Sequence, residues 1–455
     1  MADPTPQVKE WVNDLSDDER YADDNGLPVS LENVLAAASR IRGSVRHTTC
    51  VHSKKLSALF GFECYLKNEF EQSTGSFKER GACNALQLLS REQRARGVVA
   101  ASAGNHALAL AEHGARLGIP VTVVMPLVAP LNKVHNCREL GADVIVHGQT
   151  FTEAYHEARR IEQERGATYV HGFNDVPIIA GQASVGLEVL DDVPDVDAVI
   201  VPVGGGGLIA GVAMAIKHRR PEVEVVGVEP SAYACLLESL HAGTAVDLPV
   251  RSTIADGLAI RRVGDNVLPL ARRYVDRVVS VAERHIALGV LRLIELHKIV
   301  AEGGAASALA PFLENAGDDG ATRLAHLRGK KVVLIVTGGN IDVSLLGRLI
   351  DYGLAADGRL VTFQAEISDR PGGLRDLCAV IAQTGASVKG ISHERTFADA
   401  FDRVFVQGLV ETRDEAHAGQ LIAAIRDAGI SVTRTFSMHG HGRAASQVLR
   451  PSNVE

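Results

Sequence analysis

The four consecutive glycines Gly204 to Gly207 constrain this chain more than any other feature. They follow an apolar run, Ala198–Val203, and precede a segment expected to be helical near Leu208–His218. Bare backbone between a buried strand and a helix start can close on an anion at the positive end of the helix. A second apolar strand, Val223–Val228, follows and ends near Pro230. The same order occurs upstream, with a strand at Val98–Ala101, the loop Ser102-Ala103-Gly104-Asn105-His106, a helix near Ala107–Leu117 and a strand at Val121–Met125 before Pro126. Two βαβ units of similar size imply an α/β fold with parallel sheets, whose working loops lie at the carboxyl ends of the strands. A further buried strand, Lys331–Val336, runs straight into Thr337-Gly338-Gly339-Asn340.

The rest of the composition narrows the function. The 455 residues are enough for two or three domains. An apolar fraction of 46% and a charged fraction of 22% are those of an ordinary globular protein. A net charge of −8 implies no broad nucleic-acid-binding face, and the single Trp argues against base-stacking platforms. No apolar run has the length of a membrane span, and Met1-Ala2-Asp3-Pro4 lacks the pattern of a signal peptide. The six cysteines at 50, 64, 83, 137, 235 and 378 form no Cys-x-x-Cys pair, which predicts reduced thiols in a cytoplasmic protein with no zinc site.

Along the chain, residues 1–30 read as an acidic arm and 31–350 as the β/α domain. A linker is expected at 351–359. From Leu360 to about Phe436 the pattern changes to βαββαβ, a ferredoxin-like unit with a turn at Asp369-Arg370-Pro371-Gly372-Gly373. A Gly-, His- and Ser-rich tail occupies 437–455.

The chemistry concentrates in Ser73-Thr74-Gly75-Ser76-Phe77-Lys78-Glu79-Arg80-Gly81-Ala82, where a lysine follows a hydroxyl-rich turn just before a helix. With the amide loop at Asn105, the glycine cradle and the hydroxyl of Thr337, the chain carries the parts of a pyridoxal phosphate site: an amine for the aldehyde, N–H groups for the phosphate and partners for the ring. A dinucleotide loop is the rival reading of the glycines, but neither Gly-x-Gly-x-x-Gly nor Gly-x-x-x-x-Gly-Lys-Ser/Thr occurs there.

These motifs, with Gly227-Val228-Glu229-Pro230 and Asp256-Gly257-Leu258-Ala259, resemble the threonine dehydratase (threonine ammonia-lyase) family of pyridoxal phosphate enzymes from about Leu31 to Asp342. The resemblance implies a two-subdomain, tryptophan-synthase-β-like fold. It implies Lys78 as the amine that carries the cofactor as an aldimine and then acts as base, with Phe77 on the ring face, Asn105 on the ring oxygen, Gly204 to Gly207 and Leu208 around the phosphate, and Thr337 at the ring nitrogen. It implies that Ser102, Ala103, Gly104, Asn105 and His106 bind the substrate carboxylate. His106 is expected to be structural or a backbone donor rather than an acid or base. In the related serine racemases the Ala103 position is a serine that serves as a second base, so alanine favours one-base elimination. Some relatives bind a cation at the Glu229 position, but Cys235 stands here where they have the acidic partner, so no metal site is expected. Leu108 departs from the family's glutamine. The segment Leu360–Phe436 resembles an ACT domain, with Asp369, Gly372, Gly373 and Leu374 as the expected site for an aliphatic amino-acid effector such as isoleucine or valine.

The function so implied is conversion of a small hydroxy amino acid, L-threonine to 2-oxobutanoate and ammonia or L-serine to pyruvate and ammonia, by a homodimer or homotetramer. Two alternatives stand beside it: a dehydratase for another 3-hydroxy amino acid such as 3-hydroxyaspartate, and a catalytically silent amino-acid sensor.

Overall fold

The computed structural model describes residues 26–313, 324–395 and 401–436, so most of the acidic arm and the whole tail 437–455 lie outside the described residues. The chain forms two compact units, Met1–Leu346 and Gly347–Glu455. The division falls inside a helix, Val343–Ala356, which takes in most of the segment 351–359 expected as a linker.

The first unit holds strands β1 (Cys50–His52), β2 (Glu63–Asn68), β3 (Val98–Ala101), β4 (Val121–Met125), β5 (Asp143–Val146), β6 (Thr168–Tyr169), β7 (Ala198–Pro202), β8 (Glu224–Pro230), β9 (Arg277–Val281) and β10 (Lys331–Val336). They make two sheets. One has the order β5-β4-β3-β6 and is parallel throughout. The other has the order β1-β2-β10-β7-β8-β9 and is parallel except for the edge pair β1–β2. Every residue of β3, β4 and β7 is buried, which is why these strands show continuous apolar runs rather than alternation.

Strand order places the working segments. β10 lies between β2 and β7 in parallel register, so the chain leaving β2 toward Lys78, the glycine run after β7 and the Thr337 loop after β10 emerge from one edge of one sheet. The Ser102–His106 loop leaves the other sheet at the carboxyl end of β3.

The second unit contains β11 (Leu360–Ser368), β12 (Ser387–Glu394), β13 (Arg403–Glu411) and β14 (Ser431–Phe436), with helices Gly373–Thr384 and Glu415–Asp427 between them. This is the expected βαββαβ order, and the antiparallel sheet runs β12-β13-β11-β14. Buried residues alternate along β11 and β13, and Phe363, Leu377, Ile381, Val406, Leu421 and Ile425 form the core between sheet and helices.

Candidate active site

Lys78 opens the helix Lys78–Leu88, and its Nζ donates to the Gly172 carbonyl at 2.6 Å. Burial pushes its pKa down to about 8, against the nearby Glu302 carboxylate, which favours the charged form. The position is over-determined. Phe77 N donates to Thr337 O at 3.1 Å, Gly339 N donates to Gly75 O at 3.0 Å, and Ser76 bridges Gly338. Two residues beyond Lys78, the buried Arg80 binds both oxygens of Glu69 at 2.7 Å each and both oxygens of Glu188 at 2.6 and 2.8 Å. Two fork-to-carboxylate pairs fix the first turn of the helix, and with it the base of the lysine stem.

Three positions of the glycine run, Gly205 to Gly207, leave no room for a side chain. A Cβ on Gly205 would lie 2.2 Å from the Phe173 ring, one on Gly207 would lie 2.4 Å from Phe173 O, and Gly206 has φ +88°. Gly206 caps the helix Gly207–Arg219, and Leu208 is buried in its first turn. The first N–H groups of such a helix lack partners within it and suit a phosphate.

Asn105 is the first residue of the helix Asn105–Leu117, two positions earlier than the expected start, because Gly104 takes the cap. Its Nδ2 lies 3.0 Å from each oxygen of Glu302, and its Oδ1 accepts from Asn340 Nδ2 at 2.8 Å. Asn340 Nδ2 also donates to Thr74 O at 2.6 Å, which joins the lysine, amide and hydroxyl loops. Ser102 and Ala103 are half-buried, and Ser102 Oγ accepts from Gly104 N at 3.4 Å. His106 is buried, bonds Val170 O through Nε2 at 3.0 Å, and is pushed down to about 3 by burial and by Lys78, so its ring is neutral. Thr337 is buried where β10 ends.

Three participants, in two segments, were not legible as such. Glu302 precedes Gly303-Gly304, and Phe173 and Gly172 lie in His171-Gly172-Phe173-Asn174, neither segment being among the cofactor motifs. An acid followed by two glycines was the signal available for the first. Glu229 sits at the end of β8, where its carboxyl accepts from Leu236 N at 2.8 Å and Leu237 N at 2.9 Å. It therefore caps the next helix, Cys235–Ala242. No group of three acidic, histidine or cysteine side chains among the described residues is placed to hold a metal ion.

The residues fit pyridoxal phosphate. A buried amine of lowered pKa, a cradle that a Cβ would fill and a hydrogen-bonding amide belong to one unit. Residues 41–338 match the family of pyridoxal-phosphate dependent enzymes. The chain is 43% identical over 396 residues to an L-threonine ammonia-lyase of Thermotoga maritima, covering 86% of this chain and 96% of that one. It belongs to the threonine ammonia-lyase family of pyridoxal-phosphate-dependent enzymes. Solved structures of the family agree. The processed threonine deaminase isoform 2 from Solanum lycopersicum superposes with a TM-score of 0.67 at 34% identity, covering 73% of this chain and 94% of that one. Maize serine racemase gives 0.67 at 35% identity, over 70% and 96%. Among the described residues no helix is long and apolar enough to cross a membrane.

Proposed function

We propose that this chain is an L-threonine ammonia-lyase, releasing 2-oxobutanoate and ammonia, and that it also converts L-serine to pyruvate and ammonia. The observation that carries the reading is the convergence of Lys78, the Gly204–Gly207 cradle and Thr337 on one sheet edge, in a chain 43% identical to an L-threonine ammonia-lyase.

Pyridoxal phosphate, when bound, supplies an aldehyde for the substrate amine and a ring that takes up electrons from Cα. The chain's residues do the rest. Gly204 to Gly207 and Leu208 would hold the phosphate through backbone N–H groups at the helix start. Phe77 would lie against the ring, Asn105 would donate to the ring oxygen, and Thr337 would offer the ring nitrogen a neutral hydroxyl. The Ser102–His106 loop and the start of its helix hold the substrate carboxylate. Lys78 Nζ takes the Cα proton as a neutral amine, which a pKa near 8 makes available close to neutral pH. The β-hydroxyl would leave as water, taking up a proton, and addition of a second water to the released enamine, through its imine form, would give the keto acid and ammonia. Ala103 has no group that can exchange a proton on the opposite face, which favours elimination over racemisation.

A 3-hydroxyaspartate substrate would need a cation for its second carboxylate, and the lysine beside Glu302, Lys133, is committed to Asp256 at 2.9 Å. Keto-acid formation measured across L-threonine, L-serine and 3-hydroxyaspartate tests the assignment. The highest kcat/KM is expected for L-threonine, and a preference for 3-hydroxyaspartate would overturn it.

The second unit reads as an ACT domain that binds an aliphatic amino acid. Its βαββαβ order and antiparallel sheet support this. The six cysteines are free thiols, which suits a cytoplasmic enzyme, and the family resemblance points to a homodimer or homotetramer.

A further inference from the structure

Glu302 is buried beside Lys78 and Asn105, yet it is neither the amine, the phosphate cradle nor a ring partner. Its backbone N–H donates to Gly338 O at 3.1 Å, which ties it to the Thr337 loop. Gly338 leaves room for it, since a Cβ there would lie 2.6 Å from Glu302 Oε1. An ionised carboxylate has only acceptors, so it takes the NH2 end of Asn105 and repels the oxygen end. Asn340 holds that oxygen end from the other side at 2.8 Å. The ionised Glu302 and Asn340 thus fix the two ends of the Asn105 amide.

The charged groups around Glu302 come from three elements: Lys78 at its helix start, Lys133 on the helix Leu131–Glu139, and Asp256 on the turn Asp256–Leu258. Lys133 and Asp256 pair at 2.9 Å. Burial raises the Glu302 carboxyl to about 7, Asp256 adds to the rise, and the Asn105 hydrogen bond, Lys133 and Lys78 oppose it.

We propose that Glu302 is a positioning residue: as a carboxylate it grips one N–H of Asn105 between its two oxygens and leaves the other N–H for the cofactor's ring oxygen, and when it takes up a proton that grip is lost. Burial and the Asn105 hydrogen bond set the pH range in which this happens, and Asp256 and Lys133 shift it in opposite directions. The inference rests on the reading of Asn105 as the partner of the pyridoxal phosphate ring. A protonated Glu302 turns one of its two acceptors into a donor facing the Asn105 donor, so the two-oxygen grip is lost, only Asn340 still holds the amide, and the hydrogen bond to the ring weakens.

The test is a pH titration of the visible absorbance of the purified holoenzyme, with cofactor affinity measured beside it. The wild type should show a spectral transition with a midpoint near 7. Glu302→Gln should remove that transition and weaken cofactor binding by about tenfold, the loss expected for one charge-assisted hydrogen bond. Lys133→Met should move the midpoint up, and Asp256→Asn should move it down, because the first removes a stabilising cation and the second a repelling anion. These two carry the test even if Glu302→Gln fails to fold. A midpoint that survives in Glu302→Gln, or rim variants that both move it the same way, would overturn the proposal. Wild-type protein with no visible cofactor band would overturn the reading beneath it, and the proposal with it.

Discussion

Lys78 shows how one residue is prepared by its surroundings. Its amine must be neutral to react with an aldehyde or to take a proton. Burial lowers its pKa from 10.5 to about 8, so the neutral form predominates above pH 8 rather than above 10.5. Reconstitution of cofactor-free protein with pyridoxal phosphate, followed by absorbance, should therefore accelerate up to about pH 8 and level off above it. A rate that keeps climbing toward 10.5 would show that the amine is solvated instead. Lys78, Asn105 and Thr337 were legible because each stands in a short local motif at a strand or helix end. Glu302 was not, because its partner Asn105 lies 197 residues away in sequence and only the packing of two sheets brings them together.

At the scale of elements, the glycine cradle is shaped by Phe173 as much as by its own backbone. Gly205→Ala would drive a Cβ to 2.2 Å from the Phe173 ring. The overpacking should destabilise the protein by about 1–3 kcal/mol. It should also weaken cofactor binding, and adding Phe173→Ala should recover part of the loss in both Tm and affinity. No recovery would mean that the ring does not shape the cradle. The sequence pointed to a cradle, and the glycines do lie between β7 and the helix Gly207–Arg219. It did not show what fills the space above it, because Phe173 follows β6, in the other sheet. Helix starts shifted by small amounts for a local reason: the pattern of apolar residues begins at Ala107, but the Gly104 cap lets the helix begin at Asn105.

At the scale of the whole molecule, the βαββαβ order of the second unit was readable from alternating strands and turn residues, whereas the availability of its turn donors was not. Gly373 N already donates to Arg370 O at 3.2 Å, and Asp369 pairs with Arg395 at 2.9 Å. A side chain at Gly373 would meet Ser368 O at 2.2 Å, so that position cannot separate a charge effect from a steric one. Leu374, exposed in the first turn of the same helix, can. Isoleucine or valine should shift the L-threonine saturation curve, and Leu374→Asp should weaken the shift by placing a carboxylate near the ligand's own, with the unliganded rate preserved. Saturation curves that ignore every aliphatic amino acid would leave this unit without the effector role. The central claim is that Lys78 carries the chemistry of an ammonia-lyase, and the most direct measurement compares 2-oxobutanoate formation from L-threonine by wild-type and Lys78→Ala protein of equal thermal stability. The wild type should form keto acid and ammonia in equal amounts, and the variant should lose at least about a thousandfold in rate, having lost the amine that serves both as covalent anchor and as base. Turnover by Lys78→Ala within a few-fold of wild type would contradict the account.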